Sequence, residues 1–294
     1  MNRIKQILIR NRPADIISIL FVSFLLVITL FFYSILPKPK YLISLYTILL
    51  IVQFILIKIK KNNGILNFIY NLGFPTVCIL LVFDSLEWIV HYVNPKDIDP
   101  LLIKLDYLLF GNHPTVMLER FMNPLLTDIL QVAYSTYYFL PIGLGIILLM
   151  KKNEENFNKS LFLILLCFYL SYLGYILFPA LGPRFYLKEI QTIELQGYLI
   201  AEPLINLLNR LEGIKRDAFP SGHTGITILV LYLSWKYSRR FFWITLPVIS
   251  ALIFATVYCR YHYVVDVIAG FILFIITIIL GEWYYKWWSK NMTI

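Results

Sequence analysis

The sequence predicts an all-α protein, a polytopic bundle of about eight transmembrane helices, and three observations predict it. The mean hydropathy is +0.73, and 59% of the 294 residues are hydrophobic whereas only 15% are charged. The charged residues fall in short clusters between apolar segments long enough to cross the ~30 Å hydrocarbon layer, which takes about 20 helical residues. These segments lack the alternation of a membrane β-barrel, so helices are the spanning structure that fits.

Eight apolar segments are predicted to span the membrane. In chain order they are Ile16–Leu36, Tyr41–Ile57, Leu66–Val90, Leu125–Leu149, Leu161–Phe178, Gly222–Trp235, Phe241–Tyr258 and Tyr263–Tyr284. The first span follows four basic residues, as the apolar part of a signal peptide would. Because its apolar run is too long and lacks a small-residue cleavage site, we expect it to remain as an anchor.

Two segments outside the spans have the periodicity of amphipathic helices. In segment 98–109, apolar residues recur at 98, 101, 102, 105, 108 and 109, which is the spacing of one helical face. The segment Ile200–Leu211 has a similar pattern. Both are predicted to be short interfacial helices on the extracytoplasmic side of the membrane. The second could cover a lipid entrance or simply pack against the bundle, and packing is the preferred interpretation.

Basic residues indicate which end of the bundle faces the cytoplasm, because cytoplasmic loops carry an excess of Lys and Arg. With the N-terminus inside, most of the basic residues lie in both termini and in the loops that begin near Lys58, Lys151 and Lys236. We therefore expect both termini to be cytoplasmic in an integral protein of a cell or inner membrane. The net charge of +9 is explained by these loops meeting anionic lipid, so membrane lipids and not nucleic acid are the expected partners.

A polar turn begins the sixth predicted span, where polar groups are costly unless they are used. In Pro220-Ser221-Gly222-His223, the Ser221 side chain can cap the helix and Gly222 lets a ligand approach the backbone closely. The free N–H groups and the positive end of the helix dipole make a site for an anion. The turn therefore predicts a phosphate-binding helix start.

A histidine and a carboxylate stand four residues apart at the start of the last span. On one helical face, Asp266 is expected to hold one nitrogen of His262 and to stabilise positive charge on the ring, which prepares a histidine as a nucleophile or base. Arg184 and Arg260, each able to bind two phosphate oxygens, are expected to stabilise a transferring phosphoryl group. Together with His223 these residues indicate a phosphoryl-transfer site.

The Pro220–His223 turn and the His262/Asp266 pair resemble the second and third signature motifs of the type 2 phosphatidic acid phosphatase family. Segment 178–184 resembles the first motif of the branch that contains inositol phosphorylceramide synthase, and segment 109–115 is more loosely similar to that branch. We accordingly expect residues 125–294 to form a phosphatase-like helical core. Residues 1–124 would supply the N-terminal spans and an interfacial helix of the same membrane domain.

The resemblance implies a two-step reaction that needs no metal or other cofactor. His262 would attack phosphorus, Asp266 would orient it, and His223 would protonate the departing alcohol; ordinary histidine pKa values near 6.5 suit such a proton shuttle. Water would then resolve the phosphohistidine, which makes the protein a lipid phosphatase acting on a lipid phosphate or diphosphate at the extracytoplasmic face. The alternative is a lipid phosphotransferase, in which another hydroxyl accepts the phospho-headgroup.

Some positions depart from the family pattern. The lysine expected seven residues before the arginine of the first motif is Leu177, so Lys215 or Arg216 is a candidate for the missing cation. In the third motif, the arginine expected six residues before the histidine is Thr256, whereas Arg260 stands two residues before it. These departures leave the two histidines and the aspartate unaffected.

A second set of polar residues lies in the third predicted span. Asp84, Glu87 and His91 are spaced to share one helical face, with Asp84 about 12 Å from the outer end. Two interpretations are a buried hydrogen-bonded network, which is slightly favoured, and a pocket for an acceptor headgroup. A transporter that uses them as a proton relay is a further hypothesis, but it predicts internal repeats that the sequence lacks. No cluster has the spacing of a metal site, so no metal is expected.

Overall fold

A computed structural model describes residues 11–59, 64–212 and 216–292, with the side chains of 207–212 and 292 outside the description. Its secondary structure is helical, with one isolated bridge between Ala180 and Asp217. The helices are α1 (Pro13–Phe31), α2 (Pro39–Ile59), α3 (Gly64–Trp88), α4 (Asp99–Phe110), α5 (Pro124–Met150), α6 (Glu154–Leu177), α7 (Ala201–Glu212), α8 (Gly222–Tyr237), α9 (Arg239–Tyr258) and α10 (Val264–Met292). Short helical turns occupy Val90–Val93, Pro114–Met117, Leu118–Phe121 and Pro183–Tyr186.

Seven helices of the described ranges are long and apolar enough to cross a membrane: α1, α2, α3, α5, α6, α9 and α10. The predicted all-α polytopic bundle is therefore confirmed. The remaining predicted span is α8, which has 16 residues and so extends only about 24 Å. It packs against α6, α9 and α10, and this enclosure compensates for its short length.

Helix α6 lies at the centre of the bundle. In its most apolar stretch 67% of the residues are buried, compared with 28–44% in the other spanning helices. Its partners are α1, α5, α8 and α10. Aromatic packing contributes to this core; the rings of Phe21 in α1 and Tyr169 in α6 stack with their centroids 4.5 Å apart. The face of α6 towards α5 and α8 also reaches the functional site described below.

The two predicted surface helices are present as α4 and α7, each beginning within one residue of the predicted start. Helix α4 ends at Gly111, whose φ of 69° gives the left-handed cap that glycine adopts without strain. Helix α7 is attached to the bundle through Asp128 of α5. The Asp128 carboxylate accepts backbone N–H groups from four consecutive residues, 198–201, at distances of 2.7–3.2 Å. These bonds satisfy the exposed N–H groups at the start of the helix.

The prediction of a buried network at Asp84, Glu87 and His91 is wrong. Regular α-helix ends at Ser85, and a 3₁₀ turn over Leu86–Trp88 breaks the spacing that would align the three side chains. Asp84 and His91 lie on the exposed surface of the bundle, and Glu87 is half-buried.

Candidate active site

Three loops meet at one end of the bundle and are joined by backbone hydrogen bonds. The loop after α6 is bonded to the loop before α8, because Ala218 N–H donates to the Ala180 carbonyl at 3.0 Å. The loop between α9 and α10 receives a bond of 3.1 Å from Arg184 N–H to the Arg260 carbonyl. The geometry therefore brings together the three motif regions, which are far apart in the sequence.

The start of α8 is capped as its sequence predicts. The Ser221 hydroxyl is fully buried. It accepts two hydrogen bonds from Thr224, one from the backbone N–H at 3.3 Å and one from the side-chain hydroxyl at 3.1 Å. The missing side chain of Gly222 allows a close approach of α6. A Cβ there would collide with the hydroxyl of Tyr175 on that helix.

The ring of His262 is held by a backbone carbonyl. Its Nδ1 lies 2.7 Å from the Ala218 carbonyl oxygen and 3.6 Å from Oδ2 of Asp266. Because a carbonyl oxygen only accepts, Nδ1 carries the proton, and in the neutral ring Nε2 carries the lone pair. The tautomer that suits a nucleophile at Nε2 is therefore fixed by Ala218.

The predicted hydrogen bond between Asp266 and His262 is replaced by one to the backbone. Helix α10 begins at Val264, so His262 lies in the turn before it and does not share a helical face with Asp266. Oδ2 of Asp266 instead accepts the N–H of Tyr263 at 2.8 Å. Asp266 remains close enough to stabilise positive charge on the ring, and its carboxylate also closes the turn that presents His262.

The second histidine faces the lone pair of the first. Nδ1 of His223 lies 3.4 Å from Nε2 of His262. The His223 ring is stacked on Tyr134 and lies at a tilt against Tyr137, with centroid distances of 4.4 Å and 4.1 Å. Its Nε2 is buried and has no hydrogen-bond partner among the described residues. Two imidazoles with complementary nitrogens can share the work of a nucleophile and a proton donor.

The surroundings of His262 favour its neutral form. Burial lowers the pKa of His262 to about 4, and the nearby charge of Arg184 lowers it further, whereas Asp217 and the Ala218 carbonyl oppose the shift. Arg184 is half-buried, and its guanidinium carbon lies 5.3 Å from the centre of the Tyr261 ring. At neutral pH the site therefore holds an uncharged imidazole beside a permanent cation, an arrangement that suits attack on a phosphoryl group.

The guanidinium of Arg260 is hydrogen-bonded to other groups of the protein. Its Nη2 donates to Oε1 of Glu119 at 2.7 Å and to the Ile193 carbonyl at 2.5 Å, and only 8% of the residue is exposed. Glu119 also accepts the N–H and hydroxyl of Thr192 at 3.0 Å and 2.8 Å. The structure thus makes Arg260 a link between the loop of His262 and segment 192–193, and leaves Arg184 as the arginine beside the histidines.

The structure also bears on which residue could replace the missing lysine of the first motif. Leu177 ends α6 and is 52% exposed, so it contributes no charge to the site. Arg216, one of its two predicted replacements, is paired with Asp97 at 2.6 Å. The other candidate, Lys215, lies outside the described residues.

Helix α4 supports the first-motif loop through Asp99, a residue that the sequence did not single out. Its carboxylate accepts the N–H groups of Leu181 and Gly182 at 2.9 Å and 2.8 Å, and the hydroxyl of Tyr263 at 2.9 Å. Gly182 has a φ of 95°, and a Cβ there would lie 2.7 Å from the Tyr261 carbonyl oxygen. Burial raises the pKa of Asp99, against the effect of these donors.

Asp106, also on α4, caps the start of α10. Its two oxygens accept the N–H groups of Val264 and Val265 at 3.0 Å and 2.9 Å, directly after His262. Asp99 and Asp106 are seven residues apart, so two helical turns place both on the same face of α4. That spacing was a signal in the sequence, because acidic residues rarely accompany the apolar face of a surface helix without partners.

Among the described residues, no group of three or more His, Cys, Asp or Glu is arranged to hold a metal ion. The remaining charged residue near the histidines is Asp217, which is half-buried and lies four residues before Ser221. No periodicity or spacing in the sequence singles out Asp217, because its proximity to His262 depends on the loop before α8.

Comparisons with known proteins identify a family and two relatives that this chain resembles. The family model of the PAP2 superfamily matches residues 101–280, a range that holds α4 except its first two residues, together with every motif residue above. A PA-phosphatase related-family protein of Dictyostelium discoideum is 23% identical over 196 residues, covering 60% of this chain and 36% of the relative. Inositol phosphorylceramide synthase of Candida albicans is 25% identical over 211 residues, covering 65% of this chain and 43% of the relative. The matches thus span less than half of either relative, and no solved structure matches the chain.

Proposed function

Because the chain belongs to the PAP2 superfamily, we propose that it is a membrane lipid phosphatase that hydrolyses a lipid phosphate or diphosphate through a phosphohistidine at His262. The observation that carries this proposal is the hydrogen bond from His262 Nδ1 to the Ala218 carbonyl, which leaves the Nε2 lone pair directed at the second histidine. An imidazole fixed in this tautomer is a ready nucleophile for phosphorus.

In the first step, Nε2 of His262 attacks phosphorus, and a nitrogen–phosphorus bond forms as the bond from phosphorus to the lipid oxygen breaks. His223, which enters the step as the imidazolium, gives one proton to that oxygen, so the lipid leaves as a neutral alcohol and His223 is left as a neutral ring. Arg184 neutralises charge on the phosphoryl oxygens during the transfer. Helix α8 also directs the positive end of its dipole towards the anion.

In the second step, the phosphohistidine is resolved. His223, now unprotonated, takes a proton from water as the water oxygen attacks phosphorus, and the nitrogen–phosphorus bond breaks to release phosphate. Both histidines then return to their starting protonation states. Over the two steps, His223 acts first as the acid and then as the base, as general acid–base catalysis requires. His262 acts first as the nucleophile and then as the leaving group.

The experiment that tests the proposal measures the products of purified protein given phosphatidic acid, a polyprenyl diphosphate, phosphatidylglycerol phosphate and phosphatidylinositol. We expect release of inorganic phosphate and of the dephosphorylated lipid from at least one of the first three. The variant His262→Ala should lose this activity, whereas His91→Ala, which changes an exposed histidine outside the site, should keep it. Turnover that survives in His262→Ala would remove the nucleophile assignment.

A lipid phosphotransferase is the second candidate, favoured by the similarity to inositol phosphorylceramide synthase of Candida albicans. The first step would be the same, and a lipid hydroxyl would replace water in the second. Mass spectrometry of the same reactions, with ceramide or diacylglycerol added, separates the two functions. A new phosphodiester lipid without release of phosphate indicates transfer, whereas phosphate released in proportion to the substrate consumed indicates hydrolysis.

We place the active site at the extracytoplasmic face. Described lysines at the opposite end of the bundle support this orientation, since Lys159 and Lys236 both approach Glu282 there, at 2.6 Å and 3.7 Å. A water-soluble, membrane-impermeant phosphate ester given to intact cells tests it. We expect hydrolysis without permeabilisation, and activity that appears only after permeabilisation would invert the orientation.

A further inference from the structure

A groove runs from His223 into the interior of the bundle between α3, α5 and α6. His223 and Asp217 lie at one end, and Leu72, Gly145, Phe157 and Ser160 lie at the other. Between these ends the wall is mainly apolar and aromatic. Its side opens towards lipid at Leu80, which is 44% exposed. Such a lining suits a hydrocarbon chain and offers little to a polar headgroup.

The depth of the groove matches one leaflet of a bilayer. Tyr137, whose ring contacts His223, and Gly145 are eight residues apart on α5, or about 12 Å at 1.5 Å per residue. On α6, Phe168 and Phe157 are eleven residues apart, or about 16 Å. Half of the ~30 Å hydrocarbon layer is about 15 Å, the space that one acyl chain occupies. A chain that starts at His223 would therefore end near Gly145 and Phe157.

We propose that this groove binds one hydrocarbon chain of the alcohol that leaves in the first step, an inference that rests on the proposed function. In the substrate, phosphorus is joined to the ester oxygen, and that oxygen is joined to the lipid. The site has the same order: His262 attacks phosphorus, His223 protonates the oxygen, and the groove is lined by His223 and not by His262. His223 thus marks the boundary between the phosphate and the chain.

The groove is narrow enough to select for one chain. The enclosed space is about 110 Å³, less than the ~150 Å³ cavity that holds a benzene molecule. One chain therefore lies partly enclosed and partly along the opening at Leu80, and a second chain stays in the bilayer. Because lipid tails are as apolar as the groove, occupancy depends on shape and not on a hydrophobic driving force. Substrates with a single chain should fit as well as diacyl lipids.

The test fills the inner end of the groove and compares a short with a long substrate, octyl phosphate and hexadecyl phosphate in mixed micelles. At Gly145, a Cβ would lie 2.8 Å from Cδ1 of Leu72, so Gly145→Val adds volume to the groove end. The matched control is Gly143→Val on the same helix, where a Cβ meets Cζ of Phe241 at 3.3 Å, outside the groove. Ser160→Leu fills the same end from α6.

We expect Gly145→Val and Ser160→Leu to lower kcat/KM for hexadecyl phosphate roughly tenfold, the cost of overpacking an apolar contact. Turnover of octyl phosphate, whose chain ends before Gly145, should be unchanged and shows that each variant is folded. Gly143→Val should alter neither substrate. An equal loss for both chain lengths in Ser160→Leu, or the same chain-length effect in Gly143→Val, would overturn the proposal.

Binding separates a failure of this inference from a failure of the proposed function. If the wild-type protein hydrolyses neither substrate, the proposed function is wrong, and native mass spectrometry of the protein with hexadecyl phosphate still tests the groove. Binding to the wild type that is lost in Gly145→Val and Ser160→Leu, and kept in Gly143→Val, supports it. Equal binding to all four proteins, or to none, would show that the groove holds no chain.

Discussion

Nε2 of His262 lies 3.4 Å from Nδ1 of His223. A phosphorus atom in line between the two rings needs a longer separation, because an attack distance of about 3–3.5 Å is followed by a hydrogen bond of roughly 2.6–3.2 Å to the leaving oxygen. Substrate binding therefore has to part the rings. The His223 ring is stacked on Tyr134 and tilted against Tyr137, so a movement that parts the histidines shifts His223 against these two aromatic rings.

The role of His223 as proton donor predicts a dependence on the leaving group. His223→Asn should lower turnover of an alkyl phosphate by about 10²–10⁴-fold, the usual contribution of a general acid. For an aryl phosphate, whose leaving group needs no proton, the first step should be nearly unaffected. The second step still needs the base, so a phosphoenzyme should accumulate and appear as a burst of phenol.

Rapid-mixing kinetics with both substrates measure this difference. A phosphoryl group on His262, stable in alkali and labile in acid, should be recovered from the aryl reaction. An equal loss of rate for the alkyl and aryl substrates would mean that His223 does not protonate the leaving group.

The pH dependence should report the buried state of His262. Because burial lowers its pKa to about 4, the ring stays neutral and nucleophilic down to that pH, and is protonated and inactive only below it. The acid limb of kcat/KM should therefore lie near pH 4 and not near 6.5, after correction for the substrate phosphate, whose own pKa is about 6. A limb near 6.5 would contradict this environment.

Arg184 is one cause of that lowered pKa, so its removal should move the limb. Arg184→Gln takes away a positive charge, the protonated ring becomes easier to form, and the acid limb should shift to higher pH. Arg216→Gln is the control, because Arg216 is paired with Asp97 and does not act on His262. Profiles of kcat/KM against pH for the two variants decide the point, and a shift of the same size in both would remove the specific role of Arg184.

Most of the bundle could be predicted because apolar length is a local property of the sequence. The prediction of the helix ends was less accurate, because polar residues extend a helix beyond its apolar run. Helix α6 begins seven residues before the predicted start, at Glu154, because Asn153 accepts the N–H of Asn156 at 3.0 Å and caps it. Acidic residues in the first turn then favour the helix further.

The motif residues of the site could also be predicted, but their partners could not. The contact between Arg260 and Glu119 joins residues 141 positions apart, and the carbonyl that holds His262 belongs to Ala218, 44 residues away. Such pairs depend on how the loops pack, which neither periodicity nor spacing encodes. Arg260 therefore looked like a phosphate ligand in the sequence and is an ion-pair partner in the structure.

That ion pair predicts a loss of stability instead of a loss of phosphate affinity. Both side chains are at most 10% exposed, so Glu119→Gln or Arg260→Gln leaves an uncompensated buried charge and should cost about 3–5 kcal/mol. The double variant should cost less than the sum of the two. Thermal unfolding of the purified variants measures these losses of stability. Arg120→Gln, at an exposed residue next to Glu119, is the control. A raised KM with unchanged stability in Arg260→Gln would return this arginine to the phosphate site.

Asp106 provides the most direct test of whether α4 positions the nucleophile. Asp106→Asn replaces one of two acceptors for the N–H groups of Val264 and Val265 with a donor, and should destabilise the start of α10 by about 1 kcal/mol. Because His262 lies directly before this helix start, kcat should fall while KM changes little. Lys104→Gln, on the exposed face of α4, should leave both unchanged. Should Asp106→Asn lower the unfolding temperature and leave kcat intact, α4 would only stabilise the bundle, and the position of His262 would depend on Ala218 alone.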